Sequence, residues 1–556
     1  MPDAYMQDHF ERRRSALIIE RASFIQHYKE LSQFIQPRRG RFLTSDRNRG
    51  ERLNQDIINS KGTQALRVAR SGLLAGIMSP VRPWFGLETP DVDLMEFQPV
   101  RVWLSQAEAM LRAVFNDSNL YSMAPVMLGE LLLFGTGCML HVDDFLDVSR
   151  FYTATAGSYL IGQNNRLSVT TLVREYEATV EQLVGQFGIN NVSQMVKDLY
   201  DRGTYDSWIP CVHFITENPD SNPNSKLSIH KPFLSVYYEA GGKEKDKFLS
   251  RSGFDEFPAY CPRWDVTGED IYGTDCPGMT ALGDIKGLQL EERRKAQAID
   301  KMVNPPLRGP SSLRNVPVST LPGSLTVYDS AGNGEGLQSI YNVNPQVGEL
   351  MLDIQAVERR IDTAFYADLF MAISNMAGIQ PKNQLELSHR DAERLLQLGP
   401  VLERMQGEFL SPLIDRQFNQ IMRAGILPDP PKELQNKTLK VKYISTLAIA
   451  QRSVATGGIE RLAGFVGGLM ASGFPEVGDK FDADQAVDEY ARAIGTPPKV
   501  TRPDDVVDEI RASRAEAQQA QQAMEMAEIA SKTTKNLAGS VVEEGSVLKE
   551  LSSSEE

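Results

Sequence analysis

The sequence has few cysteines, and their spacing fits neither a metal site nor a disulfide framework. Four occur in 556 residues, and no two of them form a C-x-x-C pair. A zinc module needs closely spaced pairs, and a disulfide-rich domain needs many more cysteines for its length. We therefore expect reduced thiols, as in a cytosol, at Cys138, Cys211, Cys261 and Cys276.

Long apolar runs are also missing. The longest, around residues 131–140, is interrupted by Gly135 and Gly137. It is shorter than the roughly 20 residues that a membrane helix needs. Near the start, Asp3 and Asp8 precede a basic cluster, and no apolar run of the signal-peptide type is present. We expect no membrane helix and no export through a signal peptide, whereas the 41% of hydrophobic residues suffices for a sizeable core.

Positive charge is scarce overall. The net charge of −14 has the wrong sign for a protein that mainly grips DNA phosphates, because that grip comes from Lys and Arg. In a channel that lets DNA slide, however, a mostly acidic wall would repel the polyanion. Residues 1–70 carry 14 Lys and Arg against 8 Asp and Glu, and residues 503–556 carry 5 against 12. The basic stretch Pro37–Arg52 could contact nucleic acid or an acidic partner, although we favour a solvated surface.

The sequence contains no motif of the common enzyme classes that we considered. It has no G-x-x-x-x-G-K-[ST], no H-E-x-x-H and no G-x-S-x-G. These absences exclude a P-loop ATPase and give no support to a zinc protease or a hydrolase with a nucleophile elbow. Gly332, Gly334 and Gly336 follow a strand candidate, but no helix that could bind phosphate comes next, which favours a loop. We expect no enzymatic activity.

Two groups of side chains could begin a metal site. His141 and Asp143 would share one face of a strand, but no second histidine is near, which favours a partly exposed polar strand. Asp482, Asp484 and Asp488 resemble part of a calcium loop without its glycine, which favours a solvated acidic linker. The sequence therefore predicts no metal and no cofactor.

Apolar spacing predicts helices in the first 80 residues and a mixed region after them. Helical stripes run through residues 17–35 and 58–77, and Gly72 and Gly76 form a G-x-x-x-G that indicates close helix packing in a core. From about residue 84 to 265, strands alternate with short helices. The clearest strand candidates are 138–145, 209–216 and 233–239.

The most informative pattern lies between residues 277 and 425. Apolar residues recur at helical spacing from Leu282 to Val303, and this helix must end near Asn304 because two prolines follow. A second helix begins at Asn344-Pro345 and continues to about Leu369. The segment between them is rich in Pro, Gly and Ser and contains strand candidates. Two long helices thus flank a small β module.

The remainder of the chain is predicted to be largely helical. A capping box at residues 388–391 opens a third helix, which Gly399-Pro400 should kink or break. A β-like stretch follows near residues 439–444. The polar segment at residues 511–535 reads as a helix with little to bury alone, so we expect it to pack against copies of itself or to lie frayed on a rim. We expect disorder at residues 552–556.

Several short phrases, taken in order, resemble the head-to-tail connecting proteins of podoviruses. They are SGLLAGIMSP at 71–80, RPWF at 82–85, EFP at 256–258, PRW at 262–264, IYG at 271–273 and VNPP at 303–306. The resemblance covers roughly residues 10–430. It implies a mostly helical α+β subunit of a portal ring, usually of twelve copies, at one vertex of the capsid.

The resemblance also implies named parts of the chain. They are a wing at 1–279, a first stem helix at 280–304, a clip at 305–344, a second stem helix at 345–374, a tunnel loop at 375–387, a wing helix with a return segment at 388–500, and a crown-like helix with a disordered tail at 501–556. A helical hairpin with a small β tip cannot bury both of its faces alone, so neighbouring copies would supply the missing core.

The implied partners follow from that role. They are identical copies in the ring, the double-stranded DNA that passes through it, the terminase motor, the major capsid or scaffolding protein, and the tail adaptors. The protein would be a virion component at the capsid vertex, assembled in the host cytoplasm. The alternative is another structural component of the virion, from the tail or the ejection machinery, without a DNA channel.

Residues 284–314 carry 7 basic and 4 acidic side chains. The basic ones could contact phosphates in the lower channel, or could equally pair with Glu291, Glu292 and Asp300 within or between helices. With the tunnel loop, the DNA-channel candidates are Lys286, Arg293, Arg294, Lys295, Lys301, Asn375, Gln380, Lys382 and Asn383. The candidates for the clip interface are Arg308, Arg314, Tyr328 and Asn333.

Overall fold

A computed structural model describes most of the chain as two compact units, residues 1–454 and 455–556. The described residues are 7–42, 52–91, 94, 97–144, 146–242, 247–309, 318–319, 338–340, 346–375, 398–434, 439–443, 459, 461–494 and 504–538. Helices predominate and antiparallel sheets accompany them, so the predicted α+β class is confirmed.

The first unit begins with four helices. They are α1 (Gln7–Ile35), α2 (Lys61–Ile77), α3 (Gln98–Asp117) and α4 (Leu120–Phe134). The prediction of helix throughout the first 80 residues is wrong for residues 52–60, none of which is helical. Ile58 therefore lies outside the helical stripe that it was expected to join, and its side chain is exposed. Its backbone N–H donates instead to Gln289, far along the chain.

The longest apolar run is part of the core. Residues 127–134 of α4 are buried, and the helix ends where Gly135 adopts a φ of 77°, a left-handed conformation that glycine tolerates. A Cβ at Gly135 would lie only 3.2 Å from the carbonyl oxygen of Gly273, so the close approach also needs glycine. Within the described ranges, no helix is both long enough and apolar enough to cross a bilayer.

The mixed region contains two antiparallel sheets. Its strands are β2 (Met139–Asp144), β3 (Val148–Thr153), β4 (Tyr159–Gln163), β5 (Val169–Thr179), β6 (Trp208–Glu217), β7 (Phe233–Glu239), β8 (Ser250–Phe254) and β9 (Ala259–Tyr260). The larger sheet has the order β4-β5-β6-β7-β8, and the smaller one has the order β3-β2-β9. Two short helices, α5 (Val180–Phe187) and α6 (Gln194–Asp201), pack against the larger sheet through a separate apolar cluster. The three strand candidates of the sequence are confirmed.

A long helical hairpin follows. Its helices are α7 (Pro277–Val303) and α8 (Val347–Ala364), and α7 ends where Pro305 and Pro306 predict. Beyond α7, the two-residue strands β10 (Leu307–Arg308) and β11 (Gln338–Ser339) pair with each other. Most of the predicted β module, residues 310–317, 320–337 and 341–345, lies outside the described residues.

The second helix of the hairpin is not continuous to residue 374 as predicted. It stops at Ala364, Tyr366 takes a φ of 54°, and a new helix, α9 (Ala367–Asn375), begins. The break turns the chain so that Phe370 packs on α2, where Gly72 has no side chain. A Cβ at Gly72 would lie 2.4 Å from the Cβ of Phe370, which confirms the expected close helix packing at this glycine.

The first unit closes with α10 (Gly399–Met405), a π-helical turn at Gln406–Leu410 and α11 (Ser411–Arg423). The capping box at 388–391 lies outside the described residues, as does the helix that Gly399-Pro400 was expected to kink. The predicted β-like stretch is the strand β12 (Lys440–Tyr443), which pairs with β1 (Phe85–Glu88).

The described part of the second unit is mostly helical. It contains helical residues 461–471, α12 (Ala483–Ile494) and α13 (Asp504–Ala538), so the helix predicted at 511–535 is confirmed. The acidic linker expected around Asp482 is instead the start of α12. The Asp482 carboxylate accepts the backbone N–H groups of Asp484 and Gln485, which is how a helix N-terminus is capped, and Asp484 pairs with Arg511.

Candidate functional site

Five of the nine predicted channel residues fall on α7, and two of these five already have partners within the subunit. The Lys286 ammonium lies 2.5 Å from the Glu30 carboxylate of α1 and packs over the ring of Phe34. The Lys295 ammonium lies 2.5 Å from the carboxylate of Glu292, one turn earlier on the same helix. These two lysines therefore form ion pairs within the subunit, which is the alternative to phosphate contact that the sequence left open.

The other three cations of α7 project into solvent. Arg293, Arg294 and Lys301 are exposed, and none forms an ion pair with any residue that the structure describes. Arg294 and Lys301 are seven positions apart, so they share one face of the helix about 10 Å from each other. Three guanidinium and ammonium groups are thus available on the outer half of the hairpin.

A polar clamp fixes the inner end of the hairpin to the body of the subunit. The side-chain oxygen of the buried Gln289 accepts the backbone N–H groups of Ile58 and Asn59. The side-chain amide of Asn59 then donates to Glu292 on α7 and to Glu358 on α8. This clamp was not predicted from the sequence. The one signal for it there is Gln289, a polar residue at a position where the apolar stripe of α7 continues.

Two ion pairs add to the clamp. The Lys61 ammonium of α2 lies 2.5 Å from the Asp362 carboxylate of α8, and Arg360 of α8 lies 3.0 Å from Asp284 of α7. Glu291 has no such partner among the described residues. Partial burial, together with the nearby negative charge of Asp353, raises its pKa. The hairpin therefore carries both signs of charge, and its inner half is held rigidly.

The outer half of the hairpin is bare. The buried residues of α7 end at Gln289, and those of α8 begin only at Ile354. Beyond these points, large apolar side chains face solvent, among them Val303 at 70% and Leu352 at 67% exposure. The others are Leu290, Ile299, Met302 and Met351. A pair of helices that is apolar on its outer surface lacks a packing partner in the part of the chain that the structure describes.

The remaining predicted site residues are only partly placed. Arg308 donates to the side-chain oxygen of Gln338 at 2.9 Å across the β10–β11 pair. Asn375 is the last residue of α9, and only its backbone is described. The other predicted positions lie outside the described residues: Arg314, Tyr328, Asn333, Gln380, Lys382 and Asn383.

The prediction of a partly exposed polar strand holds for Asp143, which is exposed, and is wrong for His141. His141 is fully buried, its Nδ1 lies 2.7 Å from the hydroxyl of Tyr260, and burial lowers its pKa well below the ordinary value. Asp143 accepts hydrogen bonds from Arg416 and Gln420 of α11, which covers this strand. The part of the chain that the structure describes contains no group of three residues that could bind a metal.

The cysteines do not form a reactive centre either. All four are free and buried. Burial raises the pKa of Cys211 and of Cys276 to about 12, so both thiols stay protonated at neutral pH. A nucleophilic cysteine needs a lowered pKa and some exposure, and Cys211 and Cys276 have neither.

Comparison with known proteins agrees with this absence of catalytic geometry. The family "Bacteriophage head to tail connecting protein" matches residues 7–501. The chain is 45% identical over 495 residues to the portal protein of Salmonella phage epsilon15, covering 89% of this chain and 88% of that protein. It is 42% identical over 496 residues to the probable portal protein of Bordetella phage BPP-1, with the same coverage.

These matches place the chain among the structural proteins of bacteriophage particles and not among enzymes. It belongs to the family of bacteriophage head-to-tail connecting proteins, over nearly its whole length. The family resemblance seen in the sequence is thereby confirmed.

Two solved structures share a weaker similarity. One is the neck of an empty gene transfer agent particle computed with C6 symmetry, with a TM-score of 0.37 and 13% identity over 84% of this chain and 98% of that one. The other is a virion of a native gene transfer agent particle, with a TM-score of 0.32 and 12% identity over 79% of this chain and 91% of that one. Scores this low support no conclusion about this chain.

Proposed function

We propose that the chain assembles into a closed ring of twelve copies, the number usual for the family, at one vertex of the capsid. We propose also that the α7–α8 hairpins line its DNA channel. The observation that carries this proposal is the bare outer half of the hairpin, where six large apolar side chains are exposed. Their helices are rigidly clamped at the inner end, so the exposed surface is presented in a fixed direction. Because the chain belongs to the family of head-to-tail connecting proteins, we infer that a neighbouring copy covers this surface.

The energy available from such packing is substantial. Full burial of a Val, Leu, Ile or Met side chain contributes about 1.5–3 kcal/mol, and these six are roughly half exposed, so each could gain roughly 1 kcal/mol. Each subunit has two neighbours in a ring, so the hairpin can be covered on both sides. This burial would stabilise the ring at little cost, because the clamped helices need no ordering on assembly.

The free cations of α7 fit a role against DNA. Phosphates of one DNA strand are spaced about 3.4 Å apart along the axis, so the roughly 10 Å between Arg294 and Lys301 corresponds to about three phosphates. A few such contacts per subunit would guide the duplex, while the acidic residues Glu291 and Asp353 limit how tightly it is held. Lys286 and Lys295, in contrast, serve helix packing in the isolated subunit.

The wider assembly follows from the family role. We propose that Arg308 and the β10–β11 pair, which lie beyond the end of α7, belong to the surface that meets the terminase motor and the tail adaptors. The body of the subunit would face the capsid or scaffolding protein, and α13 would be the crown-like part. Assembly in the host cytoplasm and a final place in the virion complete the proposal.

A matched pair of substitutions tests the role of the hairpin. Leu352→Asp places a charge in the proposed contact between copies, whereas Leu146→Asp changes a leucine that is 88% exposed in the turn between β2 and β3. Light scattering should show rings for the Leu146 variant and a shift to monomers for the Leu352 variant. Rings of equal stability from both variants would exclude the hairpin from the contact.

A second pair tests the channel. Arg294→Ala combined with Lys301→Ala should leave rings intact and alter DNA packaging or retention in assembled particles. Lys295→Ala, at a lysine already paired with Glu292, should have a smaller effect. Unchanged packaging in the double variant would remove these two residues from the channel.

A further inference from the structure

A group of arginines lies on the body of the subunit, outside the hairpin. Arg39 follows α1, and Arg67 and Arg70 project from α2. The segment that carries Arg39 is held in place by its backbone. Gly40 donates to the Thr155 hydroxyl, and Arg41 donates to the Ala156 carbonyl, both at 2.8 Å. This group includes part of the basic stretch that the sequence singled out.

Arg70 is close enough to both Arg39 and Arg67 to be repelled by their charges. Burial and the charges of Arg39 and Arg67 together lower the pKa of Arg70. Arg70 crosses α4 where Gly129 leaves room, since a Cβ at that glycine would lie 3.1 Å from the Arg70 Cδ. The Nε of Arg70 is buried and has no hydrogen-bond partner. Like charges have thus been brought together on a preformed surface.

One carboxylate partly compensates them. Glu130 is buried and lies 3.5 Å from the Arg39 guanidinium, and it also accepts hydrogen bonds from Thr155 and Ala156. Arg67 and Arg70 form no ion pair with any described residue. Arg67 and Arg70 therefore keep unused guanidinium donors, whereas the charge of Arg39 is partly balanced by Glu130. An external anion would relieve the repulsion among these arginines.

The surroundings indicate what kind of anion. The exposed residues of α2 beside Arg67 are Gln64, Ser71 and Ala75, which are small or polar. The core of a protein–protein contact needs large apolar or aromatic side chains, and this helix face offers none. Phosphate groups need little more than guanidinium donors in a planar fork, which arginine provides better than lysine.

We propose that Arg39, Arg67 and Arg70 form a second DNA contact, which binds the phosphodiester backbone of the duplex on the body of the subunit, apart from the hairpin. That the phosphates belong to DNA rests on the proposed function. The contact is sequence-independent, because it uses the phosphates alone. It would hold packaged DNA against the ring at a place distinct from the channel wall.

The test uses the full-length assembled protein and a fluorescein-labelled duplex of 30 base pairs. Its binding is followed by anisotropy over a range of NaCl concentrations. Arg67→Gln combined with Arg70→Gln should lower the slope of log K against log salt by about 0.9 for each lost phosphate contact, or roughly eightfold in affinity per contact at 0.1 M salt. Arg39 is left unchanged because it pairs with the buried Glu130.

Two further variants sharpen the result. Arg202→Gln, at an exposed arginine after α6, should keep the wild-type slope, and Arg67→Lys with Arg70→Lys should keep most of it. A wild-type slope in the double glutamine variant would overturn the proposal. So would the loss of rings in that variant alone, since it would make the cluster a contact between subunits. If the wild type itself forms no rings, the proposed function fails, and the slopes still report on the arginines.

Discussion

Two buried histidines should make the fold sensitive to mild acid. His141 contacts the hydroxyl of Tyr260 and stacks on Phe151, and His213 lies 2.9 Å from the hydroxyl of Ser235 and stacks on Tyr237 at 3.8 Å. Both side chains are fully buried. Burial, with a smaller effect from a nearby arginine, lowers the pKa of each well below 6.5.

The sign and size of the effect follow from these shifts. The unfolded chain takes up a proton at each histidine below pH 6.5, and the folded chain does not until its own lower pKa is reached. The contribution of these two histidines to the stability of the folded state is therefore fully present above pH 6.5, and it is lost as the pH falls below that value. Each histidine should lower the free energy of unfolding by about 1.4 kcal/mol per pH unit in that window. The two together should lower it by about 3 kcal/mol at pH 5.5.

Urea unfolding at pH 7.5 and at pH 5.5, followed by tryptophan fluorescence, measures the loss. His213→Gln removes one of the two titrating groups, so its loss between the two pH values should be smaller than the wild-type loss by about 1.4 kcal/mol. His27→Gln changes an exposed histidine of α1 and should leave the loss as in the wild type. Equal losses in all three proteins would refute the reasoning, whatever the absolute stabilities.

Two other predictions concern packing. The buried Arg263 makes hydrogen bonds as short as 2.5 Å to Glu408 in the π-helical turn. Arg263→Ala should therefore lower the free energy of unfolding by about 3–5 kcal/mol and lower the melting temperature. An unchanged melting temperature would contradict this. Gly72→Ala should cost about 1–3 kcal/mol because the new methyl group would meet Phe370. Gly283→Ala on α7 should instead stabilise by up to about 1 kcal/mol, because a new Cβ there would meet no atom within 4 Å beyond the adjacent backbone of its own helix. The reverse order of the two variants would be inconsistent with the packing.

Local patterns predicted much of this structure. The end of α7 follows from Pro305 and Pro306, because proline lacks the N–H that the helix needs and clashes with the preceding turn. The strands of the mixed region follow from short strand-like runs separated by turn residues, and the close approach at Gly72 follows from glycine spacing in α2. Five of the DNA-channel candidates could be named because cations cluster on one predicted helix, and the other four because the family resemblance implies a tunnel loop. Their role remains a proposal.

What the sequence could not predict depends on contacts between distant residues. The apolar pattern of α8 continues through Phe365 and Leu369, with no glycine or proline to signal the break, which packing against α2 imposes. His141 is buried because α11, roughly 270 residues later, supplies Arg416 and Gln420 to the same strand. The arginine group beside Glu130 likewise joins α2, α4 and the end of α1, which no local window contains.

The central claim is that the outer half of the hairpin is covered by identical copies in a closed ring. Negative-stain electron microscopy of the purified full-length protein tests this most directly. We expect annular particles with an opening wide enough for a DNA duplex, and a mass by light scattering that is a whole multiple of the 61.9 kDa chain. A compact monomer at every concentration, with no annular particles, would contradict the account.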